Sequence, residues 1–253
     1  PCLGGFVGSD LLAGILATEL HKKNAICALV DLGTNGEIIV GHRERILCAS
    51  TAAGPAFEGS CITQGMRAAT GAIVSATANG KGMSYRVIGD GLARGICGSG
   101  LVDIVSGALD LEWIMPSGRL ADGRSSIDLR DGIALTQGDV RQLQLAKGAI
   151  AAGMQILLEQ LGKSVSDLEQ VYLAGAFGNY ISIPGAQRIG LLHVSPERVR
   201  PAGNTALLGA KMSLFPGVEN EIEHILGLTE HVSLNADMNF QNVFVEEMGF
   251  PLP

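Results

Sequence analysis

The stretch LVDLGTNGEI, Leu29 to Ile38, decides how this chain is read. An apolar run beginning at Ile26 ends on Asp31. It passes through Gly33, Thr34, Asn35, Gly36 and Glu37, then turns apolar again at Ile38. Two readings fit these residues. In one, Asn35-Gly36 forms a type I′ hairpin turn, because both residue types tolerate the positive φ that turn needs, and Asp31 caps its own turn. In the other, the Gly-rich turn exposes successive backbone N–H groups that cradle an anion. Asp31, at the end of a buried strand, then holds a metal or orients water.

Working outward, composition sets bounds. Hydrophobic residues make up 47% of the 253 and charged residues 17%, so a sizeable core can form. Aromatics contribute only 4%, so that core rests on Ala, Val, Ile and Leu. A net charge of −7 and a pI near 5.2 argue against nucleic acid as a partner. A local anion site made of backbone N–H groups remains compatible with that acidity. No apolar run approaches the roughly 18 residues that span a bilayer, and no signal peptide is visible. The expectation is a soluble, cytoplasmic protein without a membrane contact.

Five cysteines, Cys2, Cys27, Cys48, Cys61 and Cys97, form no C-x-x-C pair and no iron–sulfur spacing, and read as reduced thiols. His224 and His231, placed on one expected helix, read as a solvated helix face rather than metal ligands.

Phe6 to Leu20 has helical spacing. Ile26–Asp31, Glu37–Val40 and Ile46–Ala49 then make a three-stranded meander whose first turn is the stretch in question. From Ser50 to Asp90 small residues and glycines predict an ordered loop with one short helix, and SYRVIGD a strand. GICGSGLVDIVSGALDL is a Gly-rich turn opening a helix near Ser99, and helix N-termini attract anions.

The clearest helix follows. Thr136 and Asp139 form a capping-box pattern; Leu143, Ala146, Ile150, Met154, Leu157 and Leu161 trace one face, and Gly162 stops it. VYLAGAFGN is a buried strand ending in glycines, Ser182 and Pro184 open a helix, and Gly203-Asn204 precede another. The tail with Phe240, Val243 and Phe244 is helical and packs back on the core. Strands alternating with helices indicate an α/β layered fold. Three Gly-rich turns, Gly33–Glu37, Gly95–Gly100 and Gly175–Asn179, are placed at one end of one sheet, where ligands of open α/β sheets bind.

In order and wording these segments resemble the superfamily of acetate and sugar kinases, heat-shock chaperones and actin. The likeness implies the actin-like ATPase (ribonuclease H-like) fold, here its second lobe, with a mixed sheet and flanking helices. LVDLGTNGEI resembles the second phosphate loop, which makes Asp31 the catalytic candidate, positioning Mg²⁺ or the attacking water through the nucleotide. Gly33, Thr34, Asn35, Gly36 and Glu37 would line the phosphates. GPAFEG, with Gly54 and Glu58, resembles the segment lining the phosphate side, although Glu58 and Asp90 read equally well as surface or capping acids. YLAGAFGN resembles the adenosine motif, so Gly175, Ala176, Gly178 and Asn179 would approach base and ribose. FVGSDLLAGILA and GNTALLGAKMSL would be the connecting helices at the hinge between lobes.

Within that superfamily, STAAGPAFEG, GMRAATGAI, GICGSGLVD, LTQGDVRQLQLAKGAI and VYLAGAFGNY resemble the C-terminal ATPase domain of reductive activators of corrinoid proteins. GICGSG, with Gly98, Ser99 and Gly100, is also similar to the turn of 2-hydroxyacyl-CoA dehydratase activators. The resemblance implies ATP and Mg as cofactors. It implies a corrinoid methyl-transfer protein as partner, with cob(II)amide reduced to cob(I)amide, and allows a homodimer. The family's first phosphate loop and its 2Fe-2S domain are not in this stretch and are expected upstream. Residues 1–24 are then a connecting helix from that upstream lobe, and 25–253 the nucleotide-binding lobe, with an irregular insertion at about 50–135. A second reading keeps the fold but makes the domain a catalytically silent module that docks the corrinoid partner.

Overall fold

A computed structural model describes residues 3, 4, 7–80, 82–178 and 180–252. Cys2 and the expected helix start at Phe6 lie outside them, and α1 runs Ser9–Thr18. The meander follows as β1 (Ile26–Leu32), β2 (Gly36–His42) and β3 (Arg45–Thr51). Next come β4 (Ala72–Asn79), β5 (Gly82–Val87), β6 (Gly95–Ile96) and α2 (Gly98–Asp110). The hairpin β7 (Ser126–Asp128) and β8 (Ala134–Thr136) leads into the long helix α3 (Gln137–Gln160). Then β9 (Leu168–Ala174), the single turn α4 (Gly175–Gly178), α5 (Ile183–Arg188), β10 (Val199–Gly203) and α6 (Thr205–Met212) alternate. The last elements are α7 (Val218–Leu228), β11 (Thr229–His231) and α8 (Phe240–Glu247).

The main sheet has the order β10-β9-β1-β2-β3-β11. The meander is antiparallel, whereas β9 runs parallel to β1, β10 to β9 and β11 to β3. Alternation along its strands sorts side chains between two cores. Ala28, Val30, Ile38, Val40 and Leu47 face the α3 side, while Cys27, Leu29, Ile39, Ile46 and Cys48 face the α1 side. The sheet is therefore covered on both faces, as its near-continuous apolar strands require. On the α1 face, α1 and α6 touch so closely that a Cβ at Gly209 would lie 2.0 Å from the Ala13 carbonyl oxygen.

Helix α3 follows its sequence signals. Thr136 Oγ1 accepts from the Asp139 amide at 3.2 Å, and Asp139 Oδ2 accepts from the Thr136 amide at 2.8 Å. Gly162, with φ +67°, takes the left-handed conformation just past the helix end.

Three expectations are corrected. Ser50 to Asp90 is not only loop: Ala72–Asn79 forms the eight-residue β4, paired with β5 and β6 in a separate three-stranded sheet. Its small, half-exposed residues carry no period-two pattern, so its strand character comes from its partners. Consequently Gly95–Gly100 spans β6 of this small sheet and the start of α2, and the three Gly-rich turns do not share one sheet. His224 lies on α7 and His231 on β11, so they are not neighbours on one helix.

Candidate functional site

The apolar run of β1 delivers Asp31 to the rim of the main sheet, where it pairs with Glu37 on β2 and Ala174 on β9. The hairpin closes on Leu32 opposite Gly36, with the Gly33 amide donating to the Asn35 carbonyl at 3.1 Å. The expected type I′ turn is absent, because neither Asn35 nor Gly36 has positive φ. Gly36 is required for a different reason: a Cβ there would lie 2.5 Å from Ile150 Cγ1 and 2.8 Å from Thr51 Oγ1. The tip residues Gly33, Thr34 and Asn35 are left open, and a Cβ at Gly33 would meet nothing nearer than 3.6 Å.

Asp31 is half-buried, and burial followed by the nearby Asp10 carboxylate pushes its pKa up. Glu37 is raised to about 7 by burial, Asp31 and Asp10, against which a hydrogen bond with the Asn35 side chain works. Three carboxylates therefore crowd one rim, a charge arrangement that a cation or a ligand-bound cation relieves. Asp10 lies in the first turn of α1 and carries no sequence signal of a site role. Its place opposite Asp31 arises from packing of the helix on the sheet, which no local pattern announces. Gly175 completes this rim with φ +82°, and a Cβ there would lie 2.5 Å from Asp31 Oδ1.

Thr34 Oγ1 donates to Glu58 Oε1 at 2.6 Å, tying the hairpin tip to the 3-10 turn Pro55–Glu58. Gly54 opens that turn with φ +75° and free space around it. Phe57 of the same turn stacks on Phe177 of α4, ring centroids 4.9 Å apart. The predicted segments around Asp31, Glu58 and Gly175 are thus physically joined. At the start of α2 the glycines answer to close packing. A Cβ at Gly98 would lie 1.9 Å from the Phe57 carbonyl oxygen, and one at Gly100 2.1 Å from that of Ile73. Ser99 is buried and donates to the Val74 carbonyl at 2.9 Å, and Cys97 is buried against Ile73.

Gly178 packs on the Leu173 backbone, Ala176 is described by its backbone alone, and Asn179 lies outside the described residues. Arg67 is exposed and makes no ion pair among the described residues. Asp90 occupies a positive-φ turn position. Cys27, Cys48, Cys61 and Cys97 are free thiols, and burial pushes Cys48 up to about 12. Among the described residues no three His, Cys, Asp or Glu side chains form a metal-holding group, and no helix is long and apolar enough to cross a membrane.

Known proteins share this architecture. The family model for the C-terminal domain of RACo, the ASKHA domain, matches residues 25–252. The corrinoid activation enzyme RamQ of Eubacterium limosum is 38% identical over 99% of this chain and 46% of its own length. The Co(II) methylated amine-specific corrinoid protein reductase of Methanosarcina barkeri is 28% identical over 99% of this chain and 51% of its own. A solved reductive activator for corrinoid, iron-sulfur protein superposes with a TM-score of 0.88 at 30% identity, covering 99% of this chain and 44% of that one. The chain spans about half the length of the relatives it matches. With its mixed sheet, flanking helices and Asp-bearing hairpin, the chain belongs to the family of RACo C-terminal ASKHA domains, which have the actin-like ATPase fold.

Proposed function

We propose that this domain binds Mg-ATP at the Asp31 rim and is the nucleotide-driven part of a reductive activator. The full-length protein delivers one electron to the cob(II)amide of a corrinoid methyl-transfer protein and forms cob(I)amide. The observation that carries this reading is the meeting of Asp31, the open Gly33–Asn35 tip and Gly175 at the carboxyl ends of the neighbouring parallel strands β1 and β9. The names of the relatives support the corrinoid partner.

In this reading the tip amides hold phosphate oxygens. Glu58 accepts a hydrogen bond from the Thr34 hydroxyl and so fixes the tip that carries those amides. The carboxylate of Asp31 suits a hard cation such as Mg²⁺ carried by the nucleotide, which would neutralise phosphate charge when bound. Asp31 holds that cation or turns a water toward the terminal phosphate. The half-buried setting strengthens each of these interactions relative to open solvent. The electron itself comes from a 2Fe-2S domain elsewhere in the full-length protein.

The test is an anaerobic assay of the full-length protein with its corrinoid partner, following the cob(II)amide spectrum with and without Mg-ATP. Conversion that needs both ATP and an iron–sulfur-loaded protein is the expected result. Unaltered conversion without ATP, or stable partner binding with no reduction, would make the domain a docking module.

A further inference from the structure

The turn Gly175–Gly178, which begins beside Asp31, leads into α5. The Tyr180 and Ile181 amides both donate to the Phe177 carbonyl, at 2.9 and 3.2 Å. Ser182 then caps α5 by accepting from the Gly185 amide at 3.2 Å. Six residues are too few to sustain a helix alone. The direction of α5, and of the turn before it, therefore depends on what grips the helix from outside.

Helix α2 grips it at both ends. Asp103 and Asp110 stand seven residues apart on α2, about two turns, and so share one face. Asp103 is half-buried and accepts a hydrogen bond from the Ser182 side chain at the start of α5. Its Oδ1 lies 3.1 Å from where a Cβ of Gly185 would stand, so the carboxylate rests against the first turn. At the other end Arg188 Nε donates to Asp110 Oδ1 at 2.6 Å, and Nη1 donates to the Pro251 carbonyl at 2.9 Å. With its side chain 19% exposed, Arg188 is screened less than a surface cation.

Helix α2 is itself a fixed reference. Ser99 ties it to the Val74 carbonyl at 2.9 Å, and Asp103 to the Ala76 amide at 3.4 Å, both on β4. Burial pushes the Asp103 pKa up, a cost that an apolar contact would avoid. A directional polar link at each end fixes the angle of α5, which apolar contact alone does not.

We propose that Asp103 and Arg188 are positioning residues: by fixing α5 they set the Gly175–Gly178 turn as a wall against the nucleoside, and so give the site its preference for ATP over bare triphosphate. This rests on the nucleotide reading, with phosphates at the hairpin tip and the nucleoside along the turn.

The test compares calorimetric affinities for Mg-ATP and for inorganic triphosphate with Mg²⁺ in the full-length protein. The variants are Asp103→Ala, Arg188→Ala and a control, Val105→Ala, which removes buried volume from the same helix. Both clamp variants should weaken Mg-ATP about five- to twentyfold and leave triphosphate within about twofold. Asp103→Asn, which still accepts from Ser182, should recover most of the ATP affinity. Val105→Ala should lower stability without changing the ratio of the two affinities. Amides of residues 180–188 should exchange faster in both clamp variants than in Val105→Ala. Parallel loss of both ligands, an unchanged ratio, or an equal fall of the ratio in Val105→Ala would overturn the positioning role. Unchanged exchange over 180–188 would overturn the clamp itself, with or without nucleotide binding. Wild-type protein that binds neither ligand would instead remove the nucleotide reading, and the positioning role with it.

Discussion

The Asp31 carboxylate occupies the space that a side chain at Gly175 would need, with Oδ1 2.5 Å from the position of a Cβ there. The end of β1 and the turn after β9 are therefore mutually exclusive in volume, and the glycine is the condition for the acid. Gly175→Ala should cost about 1–3 kcal/mol through its positive φ and the displaced carboxylate. It should also weaken Mg-ATP binding more than an equally destabilising change in α2. Thermal unfolding and calorimetric titration of the two variants together check this.

The Thr34–Glu58 hydrogen bond of 2.6 Å links the hairpin tip to the Pro55–Glu58 turn in an exposed place. Thr34→Val keeps the shape and removes the donor. Stability should change by less than about 1 kcal/mol, whereas Mg-ATP affinity should fall about three- to tenfold. Thr34→Ser should restore most of the affinity, which a purely steric role would not allow.

Glu37 sets a pH dependence. Its pKa rises from 4.5 to about 7 on folding, so between those values the folded state holds a proton that the unfolded chain has released. Stability from this group is full below pH 4.5, declines as pH rises toward 7, and is flat above that. Allowing for partial solvent screening, the decline is on the order of 1–2 kcal/mol. Glu37→Gln should flatten this segment of the stability–pH curve and stabilise the protein at pH 8, as urea unfolding across pH 4–8 would show.

Lys147 reports on the opposite end of the chain. It is buried on α3, donates to the Gly249 carbonyl oxygen, and lies 5.6 Å from the Phe250 ring centre. Burial lowers its pKa to about 8, partly opposed by Glu247, so the unfolded chain binds the extra proton between pH 8 and 10.5 and stability from this group rises across that range. Lys147→Met should abolish the alkaline rise while leaving the Gly249 carbonyl unpaired, at about 1–3 kcal/mol. Lys147→Ala, which leaves a cavity and an unpaired carbonyl, should cost about 2–4 kcal/mol.

Much of this was legible from residue order. The apolar run into Asp31, the meander, the Thr136–Asp139 capping box and the glycine-ended β9 each follow from a local rule that the tertiary structure respects. What escaped depends on segments remote in sequence. Gly36 suggested a turn because of its φ freedom, but it is small because Ile150 and Thr51 press against it. β4 exists through pairing with β5 and β6, and its Ala- and Ser-containing stretch has no alternation to betray it. Asp10 joins the rim only because α1 packs on the sheet near the end of β1, and the α2 glycines fit the backbones of Phe57 and Ile73. The motifs pick out segments that meet in the fold, but not why several of their residues have the size they do.

The central claim is that Asp31 makes this domain's nucleotide chemistry drive corrinoid reduction. Asp31→Asn in the full-length protein, assayed anaerobically with its corrinoid partner, tests it directly. The substitution keeps the volume beside Gly175 while removing the charge. ATP-stimulated formation of cob(I)amide should fall at least about 100-fold, with folding and partner binding intact. Unchanged ATP-stimulated reduction by the variant would contradict the claim.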